Sequence, residues 1–297
     1  MNRRQFLGAG SAIALLGAPR PLRAATPQRI VSAGGAMTEI VFALGEGSHL
    51  VAVDTTSLYP AAAVAALPKI GYLRQLAAEG ILSIHPDLIL ADVDAGPKDV
   101  LDQLAQMGAK VAHFTADHTV DSVASKIEFV GDAIGRTADA AAIAATYKAD
   151  LAQIDAEVAK VTDRPTALFR LGVGPSGLRG AGKGTAAADV IARAGARNAF
   201  GDATGYKPVS AEAMLAADPD YLVMMQQTVD EIGGINAVAM LPILAGLGAA
   251  KAKRIVALDG NYLLSFGPRT AHAVHDLAVA LHPGANIPAL PPRAWTA

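Results

Sequence analysis

The sequence predicts an α/β protein of two lobes joined by one long helix. Strand and helix patterns alternate in both halves of the chain, about 40 residues between them carry a helical pattern alone, and one short segment recurs in each half. The 297 residues leave room for two lobes. Hydrophobic residues make up 52% and charged residues 18%, which supplies a core and argues against long disorder. There is no cysteine, so a disulfide framework and a thiolate metal site are both excluded.

Residues 1–25 read as an export signal, not as part of the fold. Arg3 and Arg4 precede an apolar run from Phe6 to Ala18, and the small residues Ala24 and Ala25 follow, so cleavage is expected near either one. The run is short and broken by Gly8, Gly10 and Gly17, which excludes a membrane span. Arg3-Arg4-Gln5-Phe6-Leu7 resembles a twin-arginine signal, and the same residues also fit an ordinary secretory signal. With no cysteine at the cleavage site a lipid anchor is not expected, which points to a soluble periplasmic protein. Removing the four arginines of this segment from 25 basic residues leaves 21 against 27 acidic ones, a net charge of −6. That balance excludes nucleic acid as the expected partner.

After the signal, Ile30-Val31-Ser32 reads as a strand. Met37, Ile40, Val41 and Leu44 then fall at helical spacing, and Gly45 and Gly47 stop the helix. Further strands are expected at Leu50 to Val53, at Leu88-Ile89-Leu90 and at Lys110 to Phe114. Val100, Leu101, Leu104 and Met107 mark a helix between the last two. Residues 120–161 hold no proline and no strand signal, with a weak break at Gly131 to Gly135, and read as one linking helix. Strands then return at Ala167 to Leu171, Tyr221 to Met225 and Arg254 to Leu258, and a helix from Thr270 to Leu281 closes the fold. The expected division is a signal at 1–25, an N-terminal lobe at 26–119, the linking helix at 120–161, a C-terminal lobe at 162–283 and a tail at 284–297.

The repeat sets residues 77–88 against residues 210–221. Ala78, Glu79, Leu82, Pro86 and Asp87 match Ala211, Glu212, Leu215, Pro219 and Asp220. Each copy reads as a helix, a Pro-Asp turn and a buried strand.

Two parallel α/β lobes joined by a helix, with the opening run from Ile30 through Gly34-Gly35-Ala36-Met37-Thr38-Glu39 to Ile40 and with Pro86-Asp87-Leu88-Ile89, resemble the substrate-binding proteins of bacterial importers for haem, siderophores and cobalamin. The resemblance spans nearly the whole chain after the signal. It implies Rossmann-like lobes with a ligand cleft between them and a stiff helix that limits closure. Gly71-Tyr72-Leu73-Arg74-Gln75-Leu76 is similar to the loop of the haem-binding branch, in which the tyrosine is an axial iron ligand. A phenolate is a hard anionic donor suited to ferric iron, and Arg74 two residues away is placed to favour the anion. Taken alone, the same residues are also a loop aromatic and a solvated charge.

The resemblance further implies that Tyr59, in Ser57-Leu58-Tyr59-Pro60, lies near the ligand. Gly205-Tyr206-Lys207-Pro208 resembles a lobe-two segment in which Tyr206 packs on the porphyrin and Lys207 meets a propionate, although the residues themselves also make a surface turn. Glu79 and Glu212 are implied to project from the lobe tips and pair with arginines of a permease dimer, which sets orientation and association rate. Some members of the family that the chain resembles place a histidine on lobe two and stack two haems. No histidine lies between residues 119 and 271 here, so the resemblance implies one haem b, bound as a transported ligand through Tyr72, on a monomer.

Other motifs carry less. Gly172-Val173-Gly174-Pro175-Ser176-Gly177 matches G-x-G-x-x-G, but Pro175, Gly177 and Gly180 discourage the helix a dinucleotide site needs. Gly184 stands where a phosphate loop needs Ser or Thr. His272 and His275 share a helix face without carboxylates at ligand spacing. No nucleophile and base are paired, so an enzyme is not expected. The alternatives are a siderophore or cobalamin carrier on the same fold and, with less support, a metal-ion carrier or a nucleotide-using enzyme.

Overall fold

A computed structural model describes residues 27–172 and 179–296, and two separate sheets stand at the centres of two lobes. The expected signal at 1–25 and most of the glycine-rich motif after Gly172 lie outside the described residues. The first sheet has four parallel strands, β1 (Ile30–Ala33), β2 (Leu50–Val53), β3 (Leu88–Ala91) and β4 (Val111–His113), ordered β2-β1-β3-β4. Every residue of β1 and β3 is buried, as a parallel sheet covered by helices on both faces requires.

The second sheet holds β5 (Thr166–Leu171), β6 (Arg179–Ala181), β7 (Arg197–Asn198), β8 (Tyr206–Pro208), β9 (Tyr221–Met225) and β10 (Ile255–Leu258). Its order is β10-β9-β5-β6-β8, with β7 beside β5. Strands β5, β7, β9 and β10 run parallel, and β6 is antiparallel to β5 and β8. The sequence foretells β5, β9 and β10 but not β6, β7 and β8, which have two or three residues each. Segments that short carry no readable alternation.

The stretch 120–161 is not one helix, which corrects the sequence expectation. It is a hairpin of two, Ser122–Ala133 and Thr137–Val158. Gly135 takes φ 76, a left-handed turn open to glycine, and the Arg136 amide donates to the Gly131 carbonyl at 2.7 Å. The second helix then returns along the first. The Tyr147 hydroxyl donates to the Val120 carbonyl at 2.8 Å, and a Cβ on Gly131 would come within 2.1 Å of the Ala140 Cβ. The apparent weak break is therefore the reversal itself, invisible in composition because both arms are equally helical.

The element that crosses between lobes is Thr137–Val158, whose 22 residues span about 33 Å at 1.5 Å per residue. Helix Ser122–Ala133 stays with lobe one against helix Gly35–Ala43, and helix Thr270–Leu281 packs along the linking helix from lobe two. Residues 284–296 also wrap onto it. Ile287 and Leu290 join the core, and Arg293 forks onto buried Asp150 at 2.5 and 3.1 Å.

Strand alternation distributes the side chains among three apolar clusters. Ile30, Leu88 and Leu90 of sheet one and Ala167, Phe169 and Val223 of sheet two point into one cluster that includes the linking helix and runs through both lobes. On the opposite faces, Val31, Ile89 and Ala91 belong to an outer cluster of lobe one, and Leu168, Leu222 and Met224 to an outer cluster of lobe two.

The sequence repeat is structural. Helices Ala78–Leu82 and Ala211–Ala217 both start 133 residues apart, as do β3 and β9. The turn between them recurs with a non-glycine residue at positive φ in each copy, His85 at 50 and Asp218 at 32. The following Asp ties the turn to the lobe's first strand. Asp87 accepts from the amides of Gln28 and Arg29 at 3.0 Å, and Asp220 accepts from the amide and hydroxyl of Thr166 at 2.8 Å. These bonds hold Asp220 below the usual carboxylate range.

Gly131 and Gly80 give a contrasting pair of tests. Gly131→Ala drives a methyl into Ala140 and is expected to cost about 1–3 kcal/mol, read as a lower urea midpoint. Gly80→Ala meets nothing within 4 Å in a helix and is expected to be neutral or to stabilise by up to about 1 kcal/mol.

Candidate functional site

The loops beyond the carboxyl ends of parallel strands form the natural ligand crevice of such a sheet. Tyr72 and Arg74 stand there, on the segment that leaves β2. Amide bonds from Val53 to Pro68, Ile70 to Val53 and Thr55 to Gly71, at 2.9–3.0 Å, pin this segment along the strand. A turn closes from the Gln75 amide to the Tyr72 carbonyl at 2.8 Å. The loop after β3 grips it twice, Gly96 N to the Leu73 carbonyl at 3.0 Å and Leu76 N to the Gly96 carbonyl at 2.8 Å. Leu73 and Leu76 are buried in the outer cluster of lobe one, which leaves Tyr72 and Arg74 exposed.

The two exposed side chains meet. Arg74 Nη1 donates to Tyr72 Oη at 2.8 Å, and Arg74 Nη2 pairs with Asp94 from the loop after β3. Burial alone would lower the Arg74 pKa, but the bond to Tyr72 and the charge of Asp94 outweigh it and hold the group above its ordinary value. The guanidinium is thus fixed in place and permanently charged beside the phenol. The sequence pointed to Tyr72 and Arg74. It missed Asp94, which lies 20 residues further on and reaches them only through the loop after β3.

Tyr206 lies on lobe two, close enough to Arg74 and Asp94 for both charges to act on its hydroxyl. Burial pushes its pKa up, against opposing pulls from the Ala187 backbone, Arg74 and Thr185. Its ring makes an edge contact with Phe169, centroids 6.4 Å apart. The register of β6 on β8 pairs Ala181 with Tyr206, Gly180 with Lys207 and Arg179 with Pro208. Paired residues share a face and successive ones alternate, so Lys207 points away from the face of Tyr206. Gly180 confirms this, since a Cβ there would meet Val209, Phe200 and Leu168 of the outer cluster. Tyr206 and Lys207 thus stand on opposite faces of β8. The cation on the Tyr206 face is Arg179, whose Nη2 donates to the Tyr206 carbonyl at 2.7 Å. No local pattern marked it, because β6 was not legible as a strand.

Tyr59 joins a different arrangement. The Arg269 guanidinium lies 3.6 Å from its ring centroid. Arg269, at the start of helix Thr270–Leu281 in lobe two, also forks onto Glu39 of lobe one at 2.9 and 2.7 Å, and Asn261 adds a bond at 3.3 Å. Glu39 is buried, and burial raises its pKa despite the bond and charge from Arg269. Gly35 and Gly267 make room for this junction, since a Cβ on either would come within 3.0 Å of Asn261 or Glu39. Beside it, His118 stacks on Phe266 with centroids 4.6 Å apart, and its Nε2 bonds the Leu264 carbonyl at 3.1 Å. Burial lowers the His118 pKa, as does the charge of Lys126. Glu39 and Arg269 are 230 residues apart, beyond any sequence pattern.

Glu79 and Glu212 are exposed, each the second residue of its short helix, and neither forms an ion pair among the described residues. Their helices bury Ile81 and Met214 in the two outer clusters, so both glutamates belong to the layers away from the linking helix. Among the described residues no group of three His, Asp or Glu side chains is spaced to hold a metal ion. His272 bonds the Pro291 carbonyl at 3.1 Å and His275 bonds Asp276 at 3.0 Å, each with a separate partner. A groove of about 700 Å³ opens at the far end of the linking helix, lined by Lys160, Asp163, Tyr221 and His282, and touches none of the residues around Tyr72.

A model of the periplasmic binding protein family matches residues 30–262. Among solved structures, the chain is similar to the periplasmic heme-binding protein RhuT from Roseiflexus sp. RS-1 in apo form. The two are 38% identical, with 87% of this chain and 99% of that one covered and a TM-score of 0.82. It is 29% identical over 261 residues to an uncharacterized ABC transporter substrate-binding lipoprotein of Bacillus subtilis (strain 168), covering 86% of this chain and 81% of that protein. It is 28% identical over 203 residues to the vitamin B12-binding protein of Pectobacterium atrosepticum, covering 67% of this chain and 72% of the other.

The Glu39–Arg269 junction generates a pH-dependent prediction. Arg269→Met strands a buried carboxylate and is expected to cost about 3–5 kcal/mol at neutral pH in urea unfolding. Because burial already raises the Glu39 pKa, the folded variant takes up a proton there before the unfolded chain does. The deficit therefore narrows as the pH falls through the folded-state pKa. The double variant Glu39→Gln/Arg269→Met is expected to lose that pH dependence.

Proposed function

The chain belongs to the periplasmic binding protein family, and on that premise we propose that it captures haem outside the inner membrane and delivers it to an ABC importer. The family is one of substrate-binding proteins rather than enzymes. The observation that carries the reading is the 2.8 Å bond from Arg74 Nη1 to Tyr72 Oη on the lobe-one side of the cleft. The likeness to a heme-binding protein over nearly the whole chain supports it.

The chemistry follows from Tyr72 on lobe one and Tyr206 on lobe two. A free phenol titrates near pH 10, about three units above neutrality, so a ligating phenolate needs a partner that favours the anion. Arg74 supplies a charge that cannot be lost and a donor already aimed at the oxygen. Burial raises the Tyr206 pKa, so this residue stays a neutral phenol. Tyr72 is therefore the iron ligand of the proposal, with Tyr206 set against the porphyrin. Arg179, on the same face as Tyr206, takes the propionate role first assigned to Lys207. Tyr59 lines the cleft margin beside Arg269. Haem is cargo here, and the residues hold it without altering it.

Delivery assigns the exposed carboxylates of Glu79 and Glu212 to basic residues on a two-subunit permease, one per lobe. Residues 1–25, cleaved near Ala24 or Ala25, direct the chain to the periplasm. A cobalamin carrier on the same fold is the second reading, favoured by the relative that binds vitamin B12.

Titrating the chain without residues 1–25 with haemin and with cyanocobalamin separates the two. The expected result is saturation near one equivalent of haemin, with a ferric phenolate charge-transfer band. Tyr72→Phe is expected to lose the band, and Arg74→Met to keep it while weakening binding about tenfold to a hundredfold. Saturation by cyanocobalamin without saturable haemin binding would overturn the haem reading in favour of the second.

A further inference from the structure

The loop that grips the Tyr72 turn is itself rooted on a buried charge pair. Asp92, the first residue after β3, is 4% exposed, and Lys126 of helix Ser122–Ala133 is 0% exposed. Lys126 Nζ lies 3.0 Å from Asp92 Oδ1 and donates to Oδ2 at 3.1 Å. Lysine is almost never fully buried unless its charge is paired. The Phe114 ring centroid lies 5.5 Å from the same ammonium. Gly34 leaves the space that Asp92 occupies, since a Cβ there would come within 2.6 Å of the Asp92 Cβ.

A short series of bonds leads from this pair to the phenol. The Val93 amide donates to Asp92 Oδ1 at 2.8 Å. The Ala95 amide donates to the Asp92 carbonyl at 2.8 Å, which closes a turn with Asp94 inside it. The next residue, Gly96, makes both backbone bonds to the Tyr72 turn, and Asp94 pairs with Arg74. Arg74 in turn donates to the Tyr72 oxygen. One end of the loop is thus tied to the helical hairpin, and the other end holds the ligand site.

Stability gives little reason for such a pair. Apolar side chains of similar volume serve a core as well or better, because the cost of desolvating two ions offsets their attraction. Apolar contact is non-directional, whereas a hydrogen-bonded ion pair fixes a distance and an orientation. We propose that Lys126 is a positioning residue of the ligand site. Through Asp92 it fixes the loop after β3, and so holds Asp94 and Arg74 where Arg74 meets the Tyr72 oxygen. Being sealed from solvent, Lys126 acts on the cargo only through these residues. The inference rests on the reading of Tyr72 and Arg74 as the haem site.

Asp92→Asn/Lys126→Met removes both charges together, so no unpaired ion is left in the core. Haemin titrations of this pair variant are run as a cycle with Arg74→Met. Beside Arg74, the pair variant is expected to bind about tenfold more weakly and to shift the ferric phenolate band. In the Arg74→Met background the same change is expected to alter affinity less than about twofold, because the pair acts through Arg74. Equal losses in both backgrounds, or no loss in either, would overturn the inference and leave the haem reading standing. Asp150→Asn/Arg293→Met removes another pair, between the linking helix and the tail, and is expected to leave affinity and band unchanged. A matching loss there would overturn the inference too, since any softened core would then suffice. No saturable haemin binding by the wild type overturns both readings. Amide exchange in the ligand-free wild type tests the loop without a substitution, even if the pair variant does not fold. The amides of Ala95, Gly96 and Leu76 are expected to exchange as slowly as those of β3, to within about tenfold. Faster exchange would mean a loop free of its root, and would overturn the proposal.

Discussion

The fold depends on one constraint: the chain crosses from the first sheet to the second on the helix Thr137–Val158, and that helix is buried along one side in a core the lobes share. Ile143, Tyr147, Leu151, Ile154 and Val158 recur at helical spacing on its buried face. The same cluster receives Ile30 and Leu88 from one sheet and Phe169 and Val223 from the other. Any hinge motion that separated the lobes along this helix would expose that surface at about 25 cal/mol per Å². The polar groups buried with it are satisfied, Tyr147 on the Val120 carbonyl and Asp150 on Arg293, so the helix does not open for want of a partner. Crossing on a hairpin's second arm also ties it to lobe one through Ser122–Ala133, which stiffens the junction further.

A frame held this firmly can keep charged groups in defined places on both sides of the cleft. Glu39 and Arg269 join the lobes through a buried bidentate pair, and the Arg269 guanidinium also lies against the rings of Tyr59 and Tyr262. On the open side, Asp94 holds Arg74 and Arg74 holds Tyr72. The two clusters use arginine for opposite ends. One neutralises a carboxylate to lock a junction, and the other leaves a phenol oxygen polarised and accessible. What separates them is exposure: Glu39 is sealed among side chains of both lobes, whereas Tyr72 stands on a turn whose leucines face the core.

The cleft and the outer layers obey different symmetries. Around the ligand the lobes differ, with Tyr72 and Arg74 on a turn of one and Tyr206 and Arg179 on short antiparallel strands of the other. On the outer layers they agree, in the exposed glutamates and the Pro-Asp turns. The shared turns also explain why the repeat survives in sequence, since Asp87 and Asp220 each tie the turn to the first strand of their sheet.

The sequence by itself determined the layered α/β class, the two lobes and most central strands, and it singled out the loop that carries Tyr72 and Arg74. The elements rest on patterns within a few residues, apolar runs and helical spacing, and the loop on its likeness to a known motif. Only the tertiary structure decided what depends on contacts between distant segments. The helix reversal at Gly135 was hidden because two helices of like composition read as one. Strands β6 and β8 were too short to show alternation, so the common face of Tyr206 and Arg179 was hidden. Asp94, Glu39 and Arg269 acquire their roles from neighbours 20 to 230 residues away. Short-range periodicity specifies which elements form, whereas the pairing of charges across a cleft is set by how those elements pack.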